Sequence, residues 1–199
     1  MTELTPSRSL RDRKKADTRR RALAAALELF ERDGFEATTV EVIAERAGIA
    51  PRTYFRYFPT KVDVLFADHE DRVELLRATI AARPSRQSVV GAVKAATLAE
   101  IERMMEGPES YLARTRLVAS IPAARVRVRG LDGDFEDVIA AAIVGAGGNP
   151  DTDLEARETA RAAWAATRSA QHVWHAGGGT ENPAELVEEA FALLRRGFR

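Results

Sequence analysis

Residues 38–61 read TTVEVIAERAGIAPRTYFRYFPTK, and this stretch decides the fold of the chain. Gly48 supplies the positive φ of a sharp turn, and Pro51 suits the first position of a helix, where its missing N–H would be unpaired anyway. The pattern predicts two short helices joined by a tight turn, with Thr38 or Thr39 capping the first. Apolar residues recur at the spacing of one helical face at Val40, Ile43, Ala44 and Ala47.

Two short helices around a glycine turn form a helix-turn-helix, whose second helix enters the major groove of DNA. That helix is predicted from about Pro51 to Phe58. Arg52 and Arg56 are four residues apart, so they share one face and can reach guanine edges or phosphates. Phe55 suits apolar contact with thymine methyl groups. The stretch therefore predicts a head that binds duplex DNA.

Two further side chains, Tyr57 and Lys61, can donate hydrogen bonds to phosphates beside the groove. The alternative is an amphipathic helix with a solvated arginine face and aromatic core residues. We interpret Tyr54 and Phe58 as core residues of this kind. Arg52 and Arg56, taken with Tyr57 and Lys61, are interpreted as DNA contacts.

Composition indicates a soluble helical protein of 199 residues, 45% apolar and 30% charged. There is no cysteine, which excludes disulfides, thiol catalysis and cysteine-ligated metals. No apolar run approaches the roughly 20 residues that span a bilayer, and the N-terminus lacks the apolar core of a signal peptide. A cytoplasmic protein is expected.

The formal net charge of zero hides an asymmetry along the chain. Residues 1–62 hold 13 Lys and Arg against 9 Asp and Glu, whereas residues 63–199 hold 17 against 21. A basic segment suggests a polyanionic partner, although a basic solubilising tail explains the charge equally well. Residues 1–14 are predicted as a disordered basic arm, with the first helix beginning near Asp17 or Thr18.

The remaining chain is predicted to be entirely helical, which gives an all-α protein of about nine helices. A long helix is expected from Lys61 to about Ala82, because apolar residues follow one stripe along it. Later helices are separated by the breaks at Gly107-Pro108, residues 145–150 and Gly177-Gly178-Gly179. Asn182 and Pro183 are the predicted cap and first residue of the last helix.

Residues 37–66, ATTVEVIAERAGIAPRTYFRYFPTKVDVLF, resemble the DNA-binding head of TetR-type transcriptional regulators, as does the upstream LFERDGF at 29–35. The resemblance covers about residues 15–75. Ala50 departs from it, since many members carry a capping Ser there. By this resemblance the second motif helix contacts bases and flanking residues hold phosphates. The implied DNA contacts are Thr39, Pro51, Arg52, Thr53, Phe55, Arg56, Tyr57 and Lys61.

The resemblance also implies the organisation of the rest of the chain. A head at 15–60 would be followed by a ligand-binding and dimerisation body at 61–199, with the last two helices of each subunit pairing in a homodimer. The body would enclose a small-molecule pocket. Met and aromatic residues at helical spacing are more often plain core. The candidate lining residues are Phe66, Met104, Met105, Tyr111, Phe135 and Trp164, with His69 and Leu112.

Residues 111–143, YLARTRLVASIPAARVRVRGLDGDFEDVIAAAI, resemble the body of a TetR subgroup that senses acyl-CoA-like molecules. Basic side chains in this stretch can meet an anionic head group, and the alternative is a solvated, salt-bridged face. They are Arg114, Arg116, Arg125, Arg127 and Arg129.

The expected function is a ligand-responsive, homodimeric repressor of a palindromic operator, without cofactor; an activator of the same family is the alternative. An enzyme is the main rival class, but no nucleophile elbow or phosphate-binding glycine loop is present. DHED at 68–71 and HxxH at 172–175 do not make the three or four convergent ligands of a zinc site. A non-specific architectural DNA binder would carry positive charge over its whole length, whereas this body is acidic.

Overall fold

The computed structural model of the protein describes residues 10–197, and within this range every regular element is helical. The prediction of an all-α fold with about nine helices is confirmed. One short 3-10 helix, Val62–Phe66, lies between the third and fourth α-helices. The α-helices of the described range are α1 Leu10–Asp33, α2 Val40–Arg46, α3 Pro51–Tyr57, α4 His69–Ala81, α5 Val89–Met104, α6 Pro108–Ser120, α7 Pro122–Val144, α8 Leu154–Ala176 and α9 Pro183–Arg196.

The first of two compact units comprises the chain up to Asp68 together with Ser120–Ala124. Its core consists of fully buried side chains from α1, α2, α3 and the 3-10 helix, including Leu29, Ile43, Tyr54 and Leu65. Burial of these large side chains is what holds three short helices together, because helices of seven residues are not stable alone.

The second unit comprises His69–Ala119 and the chain from Arg125 onward. Its core joins side chains of α4, α5, α7, α8 and α9. Buried alanines of α8 let neighbouring helices approach closely, and Thr97 on α5 shares a 3.0 Å hydrogen bond with Thr167 on α8. Thr167 is therefore a paired polar group inside the apolar stripe of α8.

Helix α1 begins at Leu10, so the prediction of a start near Asp17 or Thr18 is wrong. Residues 10–14 of the predicted basic arm are helical, and residues 1–9 lie outside the described range. Lys and Arg are good helix formers, and Asp17 accepts from Arg20 at 2.5 Å and from Arg21 at 3.1 Å. These pairs favour helix in a stretch without apolar periodicity.

The predicted single helix from Lys61 to Ala82 is also wrong, since the chain forms the 3-10 helix first and α4 only from His69. The Asp63 carboxylate accepts from the Thr60 backbone N–H at 2.9 Å and from the Thr60 hydroxyl at 2.7 Å. These bonds stabilise a tight first turn. Leu65, later in the same 3-10 helix, is buried in the core of the first unit. Residues three apart face the same side in both helix types, so the spacing of apolar residues does not distinguish a 3-10 helix from an α-helix.

None of the helices in the described part of the chain is long and apolar enough to cross a membrane.

Candidate nucleic-acid interface and a basic cavity

The turn between α2 and α3 has the geometry that the glycine in the sequence predicts. Gly48 has φ of +67°, and its N–H donates to the Glu45 carbonyl at 3.0 Å. Arg21 of α1 donates from Nη1 to the Ala47 carbonyl at 2.9 Å. The end of α2 is therefore fixed both by its own backbone and by a side chain of α1, which sets the angle at which α3 leaves the turn.

Helix α3 divides its residues between the core and solvent. Tyr54 and Phe58, predicted as core, are buried. Four residues predicted to contact DNA are exposed: Pro51, Arg52, Phe55 and Arg56. Phe55 is 49% exposed, and its ring lies three residues after Arg52 and one before Arg56, on the same face of the helix. Thr53 is half-buried beside them.

The phenol ring of Tyr57 lies close to two guanidinium groups. The Arg56 guanidinium carbon is 5.0 Å from the ring centroid and that of Arg19 is 5.9 Å from it. Arg56 also donates to the Tyr57 hydroxyl at 3.4 Å. Two positive charges at this edge of α3 favour an anion beside it, so the position suits a DNA phosphate.

The hydroxyl of Thr39 caps α2 by accepting from the Val42 N–H at 3.4 Å. Of the two caps that the sequence left open, Thr39 is the one used. Thr38 is buried and instead donates to the Gly34 carbonyl at 2.8 Å. Thr39 is exposed, and a hydroxyl that accepts one bond can still donate its own proton to a phosphate.

Lys61 was predicted to contact a phosphate, but its ammonium group is hydrogen-bonded to backbone carbonyls of the same chain. Its ammonium donates to the carbonyls of Phe35 at 2.6 Å, Thr38 at 2.9 Å and Glu36 at 3.4 Å, and lies 4.2 Å from the Phe35 ring centroid. These three bonds use all three of its donors. Lys61 thus holds the loop between α1 and α2, and its predicted phosphate contact would have to compete with these carbonyls.

We expect Lys61→Met to lower the free energy of unfolding by about 2 kcal/mol, because charge-assisted hydrogen bonds to the loop are lost while the apolar stem is kept. Urea denaturation measures this loss. Lys94→Met is the matched control, since the Lys94 ammonium pairs at 2.8 Å with a half-exposed Glu188 and the pair contributes about 0–1 kcal/mol. Equal losses in the two variants would contradict the structural role of Lys61.

A cavity of about 640 Å³ opens between α6, α7 and α8 within the second unit. Its apolar wall includes Leu112, Val118 and Val128. Basic side chains line the same space: Arg116, Arg125 and Arg129 are exposed, and Arg168 is half-buried. A volume of this size is typical of small-molecule sites. The combination of apolar wall and guanidinium groups suits an amphipathic anion.

The polar floor of the cavity is formed by α8. Arg168 donates to the Gln171 side-chain oxygen at 3.2 Å, and His175 Nε2 lies 3.4 Å from the Thr115 hydroxyl. Burial, together with the nearby positive charges of Arg168, His172 and Arg114, lowers the pKa of His175 to about 4. At neutral pH His175 is therefore uncharged, and arginines supply the positive charge of the cavity.

Of the predicted lining residues, only Leu112 lines this cavity; the others, Phe66, His69, Met104, Met105, Tyr111, Phe135 and Trp164, do not. Phe135 and Trp164 stack on each other with ring centroids 4.0 Å apart in the core, and Met104 packs against that core. Tyr111 lies near His175, with ring centroids 5.5 Å apart. Met105 is 46% exposed, and Phe66 is a half-buried residue of the first unit.

The sequence indicated part of the cavity through its basic residues. Arg116, Arg125 and Arg129 belong to the predicted head-group set, and Leu112 was a candidate lining residue. The α8 contribution was missed, although its residues recur at helical spacing: Arg168, Gln171, His172 and His175. In residues 10–197, no group of three His, Asp or Glu side chains is arranged to hold a metal ion.

Comparison with known proteins identifies similar chains. The family description "Bacterial regulatory proteins, tetR family" matches residues 22–67, and "MftR C-terminal domain" matches residues 87–199. The HTH-type transcriptional regulator TcmR of Streptomyces glaucescens is 31% identical over 207 residues, which cover 98% of this chain and 90% of TcmR.

Two solved structures share the fold. The fatty acid degradation regulator FadR from Bacillus halodurans matches with a TM-score of 0.63 at 18% identity, covering 90% of this chain and 99% of that chain. FadR from Bacillus subtilis, in complex with stearoyl-CoA, matches with a TM-score of 0.60 at 16% identity over the same shares of the two chains. At these identities the likeness concerns the fold alone.

Proposed function

Because the chain belongs to the TetR family of bacterial regulatory proteins, we propose that it represses transcription by binding a palindromic operator as a homodimer that a small-molecule effector releases. Its relatives and structural neighbours are transcriptional regulators. The chain is accordingly a DNA-binding regulator rather than an enzyme. Activation of transcription is the alternative within the same family.

The observation that carries the DNA-binding role is the surface of α3. Arg52, Phe55 and Arg56 are exposed together, next to a tyrosine ring that is close to two guanidinium groups. Arginine forks pair with guanine edges, and apolar rings contact thymine methyl groups. In the proposed complex Pro51, Arg52, Thr53, Phe55 and Arg56 meet bases, while Thr39 and Tyr57 meet phosphates. Lys61 meets a phosphate by giving up its long, 3.4 Å bond to the Glu36 carbonyl.

We propose that α8 and α9 form the dimer interface. Val173 of α8 is 47% exposed and Leu193 of α9 is 43% exposed, so both helices present apolar surface to solvent in the single chain. Ala165 and Ser169 are exposed on α8 and are small enough for a partner helix to approach closely. A twofold interface would direct two heads to half-sites one helical turn apart, about 34 Å along the duplex.

The proposed effector site is the basic cavity. Its apolar wall accepts an acyl or other apolar group, and its exposed arginines face an anionic head group. The FadR of Bacillus subtilis is known in complex with stearoyl-CoA, which makes an acyl-CoA-like effector the class to examine first. Release then follows from linkage. An effector that binds more tightly to the conformer with lower operator affinity weakens DNA binding, and DNA weakens effector binding by the same factor.

In this proposal the DNA-binding domain is residues 15–60, the effector and dimer domain is residues 61–199, and the protein works in the cytoplasm.

The test is selection of duplexes from a random library by the purified full chain. Enrichment of an inverted repeat is expected, because two identical heads related by a twofold axis contact the two strands equivalently. Recovery of duplexes that share no inverted repeat would contradict the proposal of a palindromic operator.

A further inference from the structure

We propose that the first turns of α1, N-terminal to the helix-turn-helix core, form a second DNA-contacting surface that binds phosphates beside the half-site. This inference rests on the DNA-binding role proposed above. The occupant is the phosphate backbone of the duplex, and the residues that bind it are Arg11, Arg13 and Lys14.

The charge of this segment is concentrated. Residues 10–21, LRDRKKADTRRR, contain seven Lys and Arg against two Asp. Asp17 is already engaged by Arg20 and Arg21, as described for the fold. Arg11, Arg13 and Lys14 are exposed on the helix before that pair. Residues 11–14 contain these three cations and Asp12, and their net charge of +2 gives a local positive potential for a phosphate backbone.

The segment is continuous with residues that support the DNA-contacting helix. Arg19 is 9% exposed and lies beside the Tyr57 ring, and Arg21 donates to the carbonyl that ends α2. Both contacts lie within the first compact unit. From Arg19 back to Leu10 the helix extends by nine residues, or about 13 Å at 1.5 Å per residue. That length spans several phosphates of a duplex.

Helix stability does not account for this charge. The N-terminal end of an α-helix carries a partial positive charge, so cations in its first turns are unfavourable by some tenths of a kcal/mol each. A bound anionic backbone reverses the sign of that effect. The matched part of the family description begins at residue 22, so this surface belongs to the part of α1 that precedes it.

The test is the salt dependence of DNA binding by the full chain. The triple variant Arg11→Gln, Arg13→Gln, Lys14→Gln removes three charges and keeps good helix formers. Affinity is measured by fluorescence anisotropy on a 40-base-pair duplex that the wild-type protein selects from a random library, between about 50 and 200 mM salt. We expect the slope of log K against log salt to become less negative by about 5, since three phosphate contacts are lost in each of the two heads of the dimer and each contributes about 0.9.

The control variant carries the same charge change in the second unit: Arg77→Gln, Arg86→Gln, Arg103→Gln, all exposed. Its slope is expected to stay at the wild-type value, and the variant Arg11→Lys, Arg13→Lys is expected to retain the wild-type slope as well. Equal slopes for the α1 variant and wild type, with helix content unchanged by circular dichroism, would overturn the proposal. Equal loss in both triple variants would also overturn it, because net charge would then explain the effect.

The same titration separates the two proposals. If the wild-type protein binds no duplex at any salt concentration, the DNA-binding function itself fails. If the wild-type protein binds and only the α1 contribution is missing, the function stands and the second surface is refuted.

Discussion

The double variant Arg52→Ala, Tyr57→Ala is expected to bind its operator at least about 100-fold more weakly than the wild-type protein. A base-contacting arginine contributes about 1–3 kcal/mol, and removal of a phosphate contact adds to that loss. In a dimer both half-sites lose the same contacts. Arg52 is exposed, so its loss leaves no buried group unpaired, whereas Tyr57 is half-buried and its truncation lowers the melting temperature somewhat. The folded dimer is expected to keep its mass.

Electrophoretic mobility shift and native mass spectrometry measure the two halves of this expectation. Arg32→Ala is the matched control within the same unit, because Arg32 is exposed at the end of α1 and pairs with Asp33 at 2.6 Å. It removes an equal charge and is expected to bind DNA almost normally. Operator binding that survives the double variant would show that α3 does not contact DNA.

Tyr57→Phe divides the role of Tyr57 further. The variant keeps the ring that lies beside Arg19 and Arg56 and removes only the hydroxyl. If Tyr57→Phe binds the operator more weakly than the wild-type protein, the hydroxyl contacts a phosphate directly. If the variant keeps full operator affinity, the ring has a positioning role.

The second large effect is expected at the basic cavity. Arg125→Gln, Arg129→Gln should weaken binding of stearoyl-CoA by about 10- to 100-fold, because charge-assisted hydrogen bonds to an anionic head group contribute about 1.5–3 kcal/mol and exposed ones less. The two arginines are four residues apart on α7, so both face the same space. Isothermal titration calorimetry measures the affinity, and operator binding without effector should not change.

Arg127→Gln is the control for this experiment. Arg127 lies between the two cavity arginines in sequence, carries the same charge and does not line the cavity. We expect its effector affinity to remain within a few-fold of wild type. If all three positions behave alike, the cavity is not the head-group site. If the wild-type chain does not bind stearoyl-CoA, the acyl-CoA-like class of effector is wrong.

The helix-turn-helix could be predicted from sequence because its signals are local. A glycine at positive φ, a proline at the first helical position and a 3.6-residue apolar period each act within a few residues of the chain. Gly48 and Pro51 accordingly occupy the predicted positions. The division of α3 between buried Tyr54 and exposed Phe55 also follows from helical periodicity.

Other features depend on contacts that the sequence does not place. Lys61 meets carbonyls more than twenty residues away, so only the folded head shows that its ammonium is engaged. The start of α1 at Leu10 has no apolar pattern to indicate it. The cavity is space that three helices leave unfilled, and periodicity predicts which residues are buried but not where packing is incomplete. Phe135 and Trp164 stack in the core and do not line this cavity, and their contact with a ligand stays a prediction.

We propose that two copies of α3 contact DNA in a twofold arrangement, which hydroxyl-radical footprinting on the selected duplex can show. The predicted result is two equivalent protected regions related by a dyad, with centres about 10 base pairs apart or at a multiple of that spacing. Both regions should disappear together in the Arg52→Ala, Tyr57→Ala variant. A single unsymmetrical protected region, or a footprint that the variant leaves intact, would contradict the account.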